Sequence, residues 1–162
     1  MAKSSKAILG AADWLRAAQQ HAGGMGTVDE QAIAVVVSMI RALSALARYP
    51  EEQRRAILVA RLDLIYAMPE ARAQMMMEQL LQAMAELPPA EAERIEASRL
   101  AALATYPQQK RAWLMRQYEA ALARFPVEVR LPNEEASRQA LARLREDERR
   151  ALAEVGAAEA GG

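Results

Sequence analysis

Leu46-Ala47-Arg48-Tyr49-Pro50-Glu51-Glu52-Gln53-Arg54 returns further along the chain as Leu103-Ala104-Thr105-Tyr106-Pro107-Gln108-Gln109-Lys110-Arg111. Between and beyond these copies the proline recurs at Pro50, Pro69, Pro88, Pro107 and Pro126, always at the same nineteen-residue period. Before each stands a large apolar residue: Tyr49, Met68, Leu87, Tyr106 and Phe125. Four before each is Leu46, Ile65, Met84, Leu103 or Leu122, and seven before come Leu43, Leu62, Leu81 and Leu100, the row failing only at Glu119. Such spacings draw one stripe along a helix.

Proline cannot continue the helix before it, biases its predecessor out of the α region, and is favoured at the start of the next helix. Glu51, Glu52, Glu70 and Glu91 just after the prolines suit a helix N-terminus. The pattern therefore predicts helices over 51–67, 70–86, 89–105 and 108–124, joined by tight turns that set sequential neighbours roughly antiparallel. One long helix kinked at each proline is the rival. The return of the Tyr-Pro stretch three periods on suggests duplication of a three-helix block.

Working outward, Ser4 or Ser5 can cap a first helix to about His21, with Ile8, Leu9, Ala12, Leu15 and Ala18 at helical spacing. Gly23-Gly24-Met25-Gly26 stops it, and Thr27-Val28-Asp29-Glu30 is a capping box for a second helix from about Val28 to Arg48. On the far side, Val127-Glu128-Val129-Arg130-Leu131-Pro132 alternates apolar and polar, which predicts an extended segment that pairs across a homodimer or lies along the surface. Asn133 then caps a charged last helix that reaches about Val155 and projects into solvent, and Gly156 ends it. The expected fold is all-α, with about seven helices in an antiparallel bundle or short α-solenoid. Residues 1–126 form the repeat, 127–156 the linker and charged helix, and 157–162 a flexible tail.

Composition agrees. A chain of 162 residues fits one domain, and its abundant Ala, Leu, Arg, Glu, Gln and Met favour helix. Cysteine is absent, which excludes disulfides and thiolate chemistry and fits a cytoplasmic, reducing compartment. Lys+Arg and Asp+Glu balance at 21 each, so no global basic field draws nucleic acid. No targeting signal stands out, since Asp13 and Arg16 interrupt the apolar stretch after the N-terminus. The run Ala32 to Ile40 is too short to span a bilayer.

No motif commits to a reaction, a cofactor or a metal. His21, the single histidine, suits a helix C-terminus better than a metal site. Asp63 sits in an apolar helix and, with Tyr66 and His21, makes the candidate set of buried polar groups; a partner from Arg41 or Arg99 is expected for Asp63. Met75-Met76-Met77 cannot share one helical face, so at least one is expected to be exposed or at a second contact, and methionine surfaces suit adaptable partners. With Trp113, Tyr49 and Tyr106 they are the candidate partner-binding residues. Arg54, Arg55, Arg61 and Arg72 form the densest basic group, the one candidate face for nucleic acid.

These readings lead first to a non-enzymatic interaction or structural protein: an adaptor, an assembly factor or a subunit that binds a protein partner or itself. A nucleic-acid-associated regulator using the arginine face stands second. A small-ligand binder or enzyme with a pocket between helices, using Asp63, Tyr66 and His21, stands third.

Overall fold

The computed structural model describes residues 30–160, with side chains to residue 154. The expected helix at 4–21, with Trp14 and His21, the glycine stop, and residues 161–162 lie outside the described residues. Seven helices fill the rest, in order α1 (Glu30–Ala47), α2 (Glu51–Ala67), α3 (Glu70–Ala85), α4 (Pro89–Ala104), α5 (Gln108–Ala123), α6 (Val127–Arg143) and α7 (Glu146–Ala160). There is no strand among them, and the fold is an all-α bundle.

Each proline of the nineteen-residue repeat separates two helices rather than kinking one. Pro50, Pro69, Pro88 and Pro107 stand at N-cap positions with φ between −54° and −56° and extended ψ of 139–151°. Their carbonyls accept the first helical bonds, from Arg54, Ala73, Ala92 and Arg111, each at 3.0 Å. The preceding helix closes with a tight bond from the residue before the proline to the residue four before it: Tyr49 to Leu46, Leu87 to Met84, Tyr106 to Leu103. The two apolar rows of the repeat are thus the two ends of one recurring turn.

Packing is heaviest between helices two apart in sequence: α1 on α3, α2 on α4, α3 on α5 and α4 on α6. Helices three apart join these rows, as α1 does with α4 and α3 with α6, whereas consecutive helices touch little. Arg54 pairs with Ser98 and Asp63 with Tyr106; Gln74 pairs with Gln117 and Glu78 with Arg124. Partners climb together, so helices two apart run in the same direction, as a chain turning back at each junction requires. The repeat holds at side-chain level. Ser44 donates to Glu91 at 3.0 Å, and one period on in both partners Lys110 donates to Asp63 at 2.6 Å.

Two buried clusters make the core, one around Leu62, Ile65, Met77, Leu81, Leu103 and Leu114, the other around Val36, Ile40, Leu43, Met84, Leu87 and Ile95. The stripe residues seven before the prolines, Leu43, Leu62, Leu81 and Leu100, are all buried in them.

The C-terminal third differs from expectation. Residues 127–131 are not extended; they begin α6 directly after Pro126. Val129, Asn133, Ala136 and Ala140 form its buried stripe, and packing on α3 and α4 outweighs the local alternation. Asn133 is therefore no cap but lies inside the helix, its amide donating to Leu81 O at 3.0 Å and Val129 O at 2.9 Å. Pro132 stays inside α6. A second break falls at Leu144 and Arg145, so the expected single last helix is two. That break is a sixth copy of the junction without its proline. Leu144, one period after Phe125, is buried and bonds back to Leu141, and Arg145 O accepts from Arg149 at 3.0 Å. Glu148 Oε1 accepts from the Arg145 backbone N–H at 3.1 Å, the role a capping box plays. α7 does not project into solvent: Leu152 is buried, and the helix runs past Gly156 to Ala160.

Arg145→Pro is expected to cost about 1–2 kcal/mol, because Leu144 is already extended and the stiffer unfolded chain offsets part of the lost bond to the Glu148 carboxylate. Ala140→Pro, inside α6, is expected to cost about 3 kcal/mol or more. Chemical denaturation of both variants checks this, and equal costs would contradict the junction.

Candidate functional site

α1 is the most apolar helix, and by length and composition alone it could cross a bilayer, yet only 22% of it is buried. One face packs on α3 and α4 through Val36, Ile40, Leu43 and Ala47. The other, carrying Met39 and Ala42 and continued by Tyr49, faces α2 across an open cleft of about 280 Å³. Ile57 and Arg61 of α2 form the facing wall, and Met76 and Leu80 of α3 lie beneath. Tyr49 is 46% exposed and Ile57 40% exposed.

Arg99 of α4 reaches the depth of this cleft and also borders a second cavity, of about 580 Å³, between α4, α5, α6 and α7. It is buried and forked onto Glu96, at 2.8 and 2.6 Å, and its guanidinium lies 4.0 Å from the centre of the Tyr118 ring. Ser137 of α6 donates to Glu96 at 2.7 Å. Burial pushes the Glu96 carboxyl pKa upward, but the charge and hydrogen bonds of Arg99, with Ser137, outweigh it and leave the pKa below the usual range. The Tyr118 side chain is buried beside Arg99 and Ser137, and burial, then the Glu96 carboxylate, push its pKa up to about 12.

Two further arginines hold helix ends. Arg54 Nη1 donates to Ala47 O and Tyr49 O, and Nε to Ser98 at 2.8 Å. Arg111, its counterpart in the second Tyr-Pro stretch, donates to Leu103 O, Ala104 O and Tyr106 O at the end of α4, and to Ala151 O of α7. Both arginines cap the helix that ends just before their own proline.

The expected sites are only partly assembled. Arg54 is buried and turned inward; Arg55 is half-buried against Glu51 and Glu148; Arg61 lines the cleft; and Arg72 is exposed. They do not make one basic face. Of the methionines, Met75 is exposed, Met76 lies in the cleft and Met77 is fully buried. Tyr49 rims the cleft, but Tyr106 is buried.

Asp63 and Tyr66 are exposed, not buried, and neither Arg41 nor Arg99 partners Asp63. Asp63 accepts from Lys110 at 2.6 Å and from the Tyr106 hydroxyl at 2.7 Å, which together hold its carboxyl pKa below the usual range. Lys110 lies 5.2 Å from the Tyr66 ring, which meets Trp113 edge-on at 5.3 Å. This cluster staples α2 to α5 at the register position that Ser44 and Glu91 fill one unit earlier, so it belongs to the repeat. Glu96, Arg99, Tyr118 and Ile57 carry no signal as a site in the sequence, because only the fold brings them to the cavities. Among the described residues no group of three His, Cys, Asp or Glu side chains could hold a metal ion.

Comparison with protein-family models, with curated proteins and with solved structures returned no match.

Proposed function

We propose that the chain is a non-enzymatic interaction protein, an adaptor or subunit, that takes an amphipathic helix of a protein partner along the cleft between α1 and α2. The carrying observation is the apolar cleft between α1 and α2, lined by Met39, Leu46 and Leu58, with Tyr49 and Ile57 exposed at its edge. Contiguous apolar surface of this kind marks interaction sites, and a groove between helices reads a helix through anchors at i, i+3 or i+4 and i+7. Arg61 at the wall favours a partner with an acidic residue beside its apolar stripe. Tyr49 on the rim is the natural anchor. Ile57→Asp, which puts a charge in the wall, is expected to abolish recovery of the partner with the tagged full-length chain.

A second reading rests on the cavity between α4 and α7. Its volume lies within the roughly 300–1,000 Å³ of ligand sites. Tyr118 and Arg99 on its wall supply a polar anchor for a small amphiphile. The arginine face supports nucleic-acid binding less, because Arg54 and Arg55 are engaged within the protein.

A further inference from the structure

The cavity between α4, α5, α6 and α7 is the cleft built a second time, three periods along the chain. Leu43, Leu46 and Ile65 of the cleft return as Leu100, Leu103 and Leu122 of the cavity, so the apolar floor is kept. The wall is not kept. Ala42, Leu62 and Leu80 return as Arg99, Glu119 and Ser137, and Arg61 as Tyr118. These polar groups adjoin one another: Arg99 lies over the Tyr118 ring, Ser137 bonds the carboxylate that holds Arg99, and the charge of Glu134 acts on Tyr118. The second copy therefore has one polar side and one apolar side, and at about 580 Å³ against about 280 Å³ it is the larger.

The charges on its lining differ in how they are engaged. Arg99 is held by Glu96, and Arg138 pairs with Glu135 at 2.6 Å. Glu119 of α5, Glu134 of α6 and Arg149 of α7 are exposed and stand in no ion pair among the described residues. An anionic head alone would face two unpaired carboxylates. A cationic head alone would leave Arg149 without a counter-charge and set a like charge beside it. A head that carries both signs meets a counter-charge for each. We propose that this cavity binds a single-chain amphiphile with a zwitterionic head, the head among Glu119, Glu134 and Arg149 and the tail over Leu103 and Leu122. This rests on the reading of the cavity as a small-amphiphile site. Each methylene of the tail taken from water strengthens binding about fourfold.

Calorimetric titration of the full-length chain with dodecylphosphocholine, dodecanoate and dodecylammonium, each below its micelle concentration, compares three heads on one tail. The zwitterion is expected to bind several-fold more tightly than either of the others, and decylphosphocholine roughly tenfold more weakly than its dodecyl homologue. Glu119→Gln with Glu134→Gln should move the preference to dodecanoate, and Arg149→Gln should move it to dodecylammonium; all three positions are exposed, so the fold is untouched. Leu141→Arg puts a charge on the apolar wall at a 40% exposed position and should abolish binding with unchanged circular dichroism. Equal affinity for the three heads, or a preference that the charge variants do not move, overturns the zwitterionic class and leaves the amphiphile cavity standing. No binding of any probe, or binding that Leu141→Arg does not weaken, overturns both.

Discussion

Glu96→Ala is expected to destabilise the protein by about 3–5 kcal/mol, the cost of leaving a buried partner charge uncompensated. Glu96 and Arg99 are 2% and 5% exposed, and among the described residues Arg99 has no other carboxylate within salt-bridge reach. Removing the carboxylate strands the guanidinium against the Tyr118 ring and takes the acceptor from Ser137. Replacing both members, as in Glu96→Leu with Arg99→Met, is expected to recover most of the loss, because it removes both desolvation costs at once. Urea unfolding of the two variants checks this, and a double variant as unstable as Glu96→Ala would count against the buried pair as the cause.

The same pair sets an acid limb. The folded pKa of Glu96 lies below its unfolded value, so its contribution is fully present above the unfolded value of about 4.3 and is lost as pH falls through the folded value. Glu96→Gln should lack this part of the acid dependence.

The second large effect is expected at Arg111. Its side chain donates to four carbonyls, three at the end of α4 and one on α7. Charge-assisted bonds of this kind contribute about 1.5–3 kcal/mol each, and deletion withdraws them from both the end of α4 and α7. Arg111→Ala should therefore cost roughly 3 kcal/mol or more, with α7 losing amide-exchange protection first because Ala151 O is its tie to α5. Lysine, a point charge without the fork, should not rescue it. Arg54→Ala should lose less in the same way, having fewer carbonyl partners. Unchanged protection in α7 would contradict this role.

The helices from α1 to α5 are legible in the sequence because proline acts locally: it ends one helix and starts the next whatever surrounds it. Residues 127–131 mislead for the opposite reason. Their alternation is a weak local signal, and burial of Val129 and Ala136 against α3 and α4 decides the outcome. The break at Arg145 is hidden by the absence of proline, although Leu141 and Leu144 keep the spacing of Leu122 and Phe125. Arg54 and Arg111 are visible as copies, but their capping role emerges only once the helix ends stand beside them. Asp63 has apolar neighbours in sequence that suggest the core, yet its own position on α2 faces outward to Lys110. The cleft itself is tertiary: it exists because α1 packs on α3 and α4 and leaves its other face towards α2.

That cleft is tested most directly by affinity purification of the tagged full-length chain from its own cells, with the amount of bound partner measured by quantitative mass spectrometry. Leu131→Asp serves as control, since Leu131 is a 57% exposed leucine on α6 away from the cleft. The expected result is a partner recovered with wild type and with Leu131→Asp but lost with Ile57→Asp, while circular dichroism stays the same for all three. Equal recovery from Ile57→Asp and wild type would contradict the cleft as the place where this protein meets its partner.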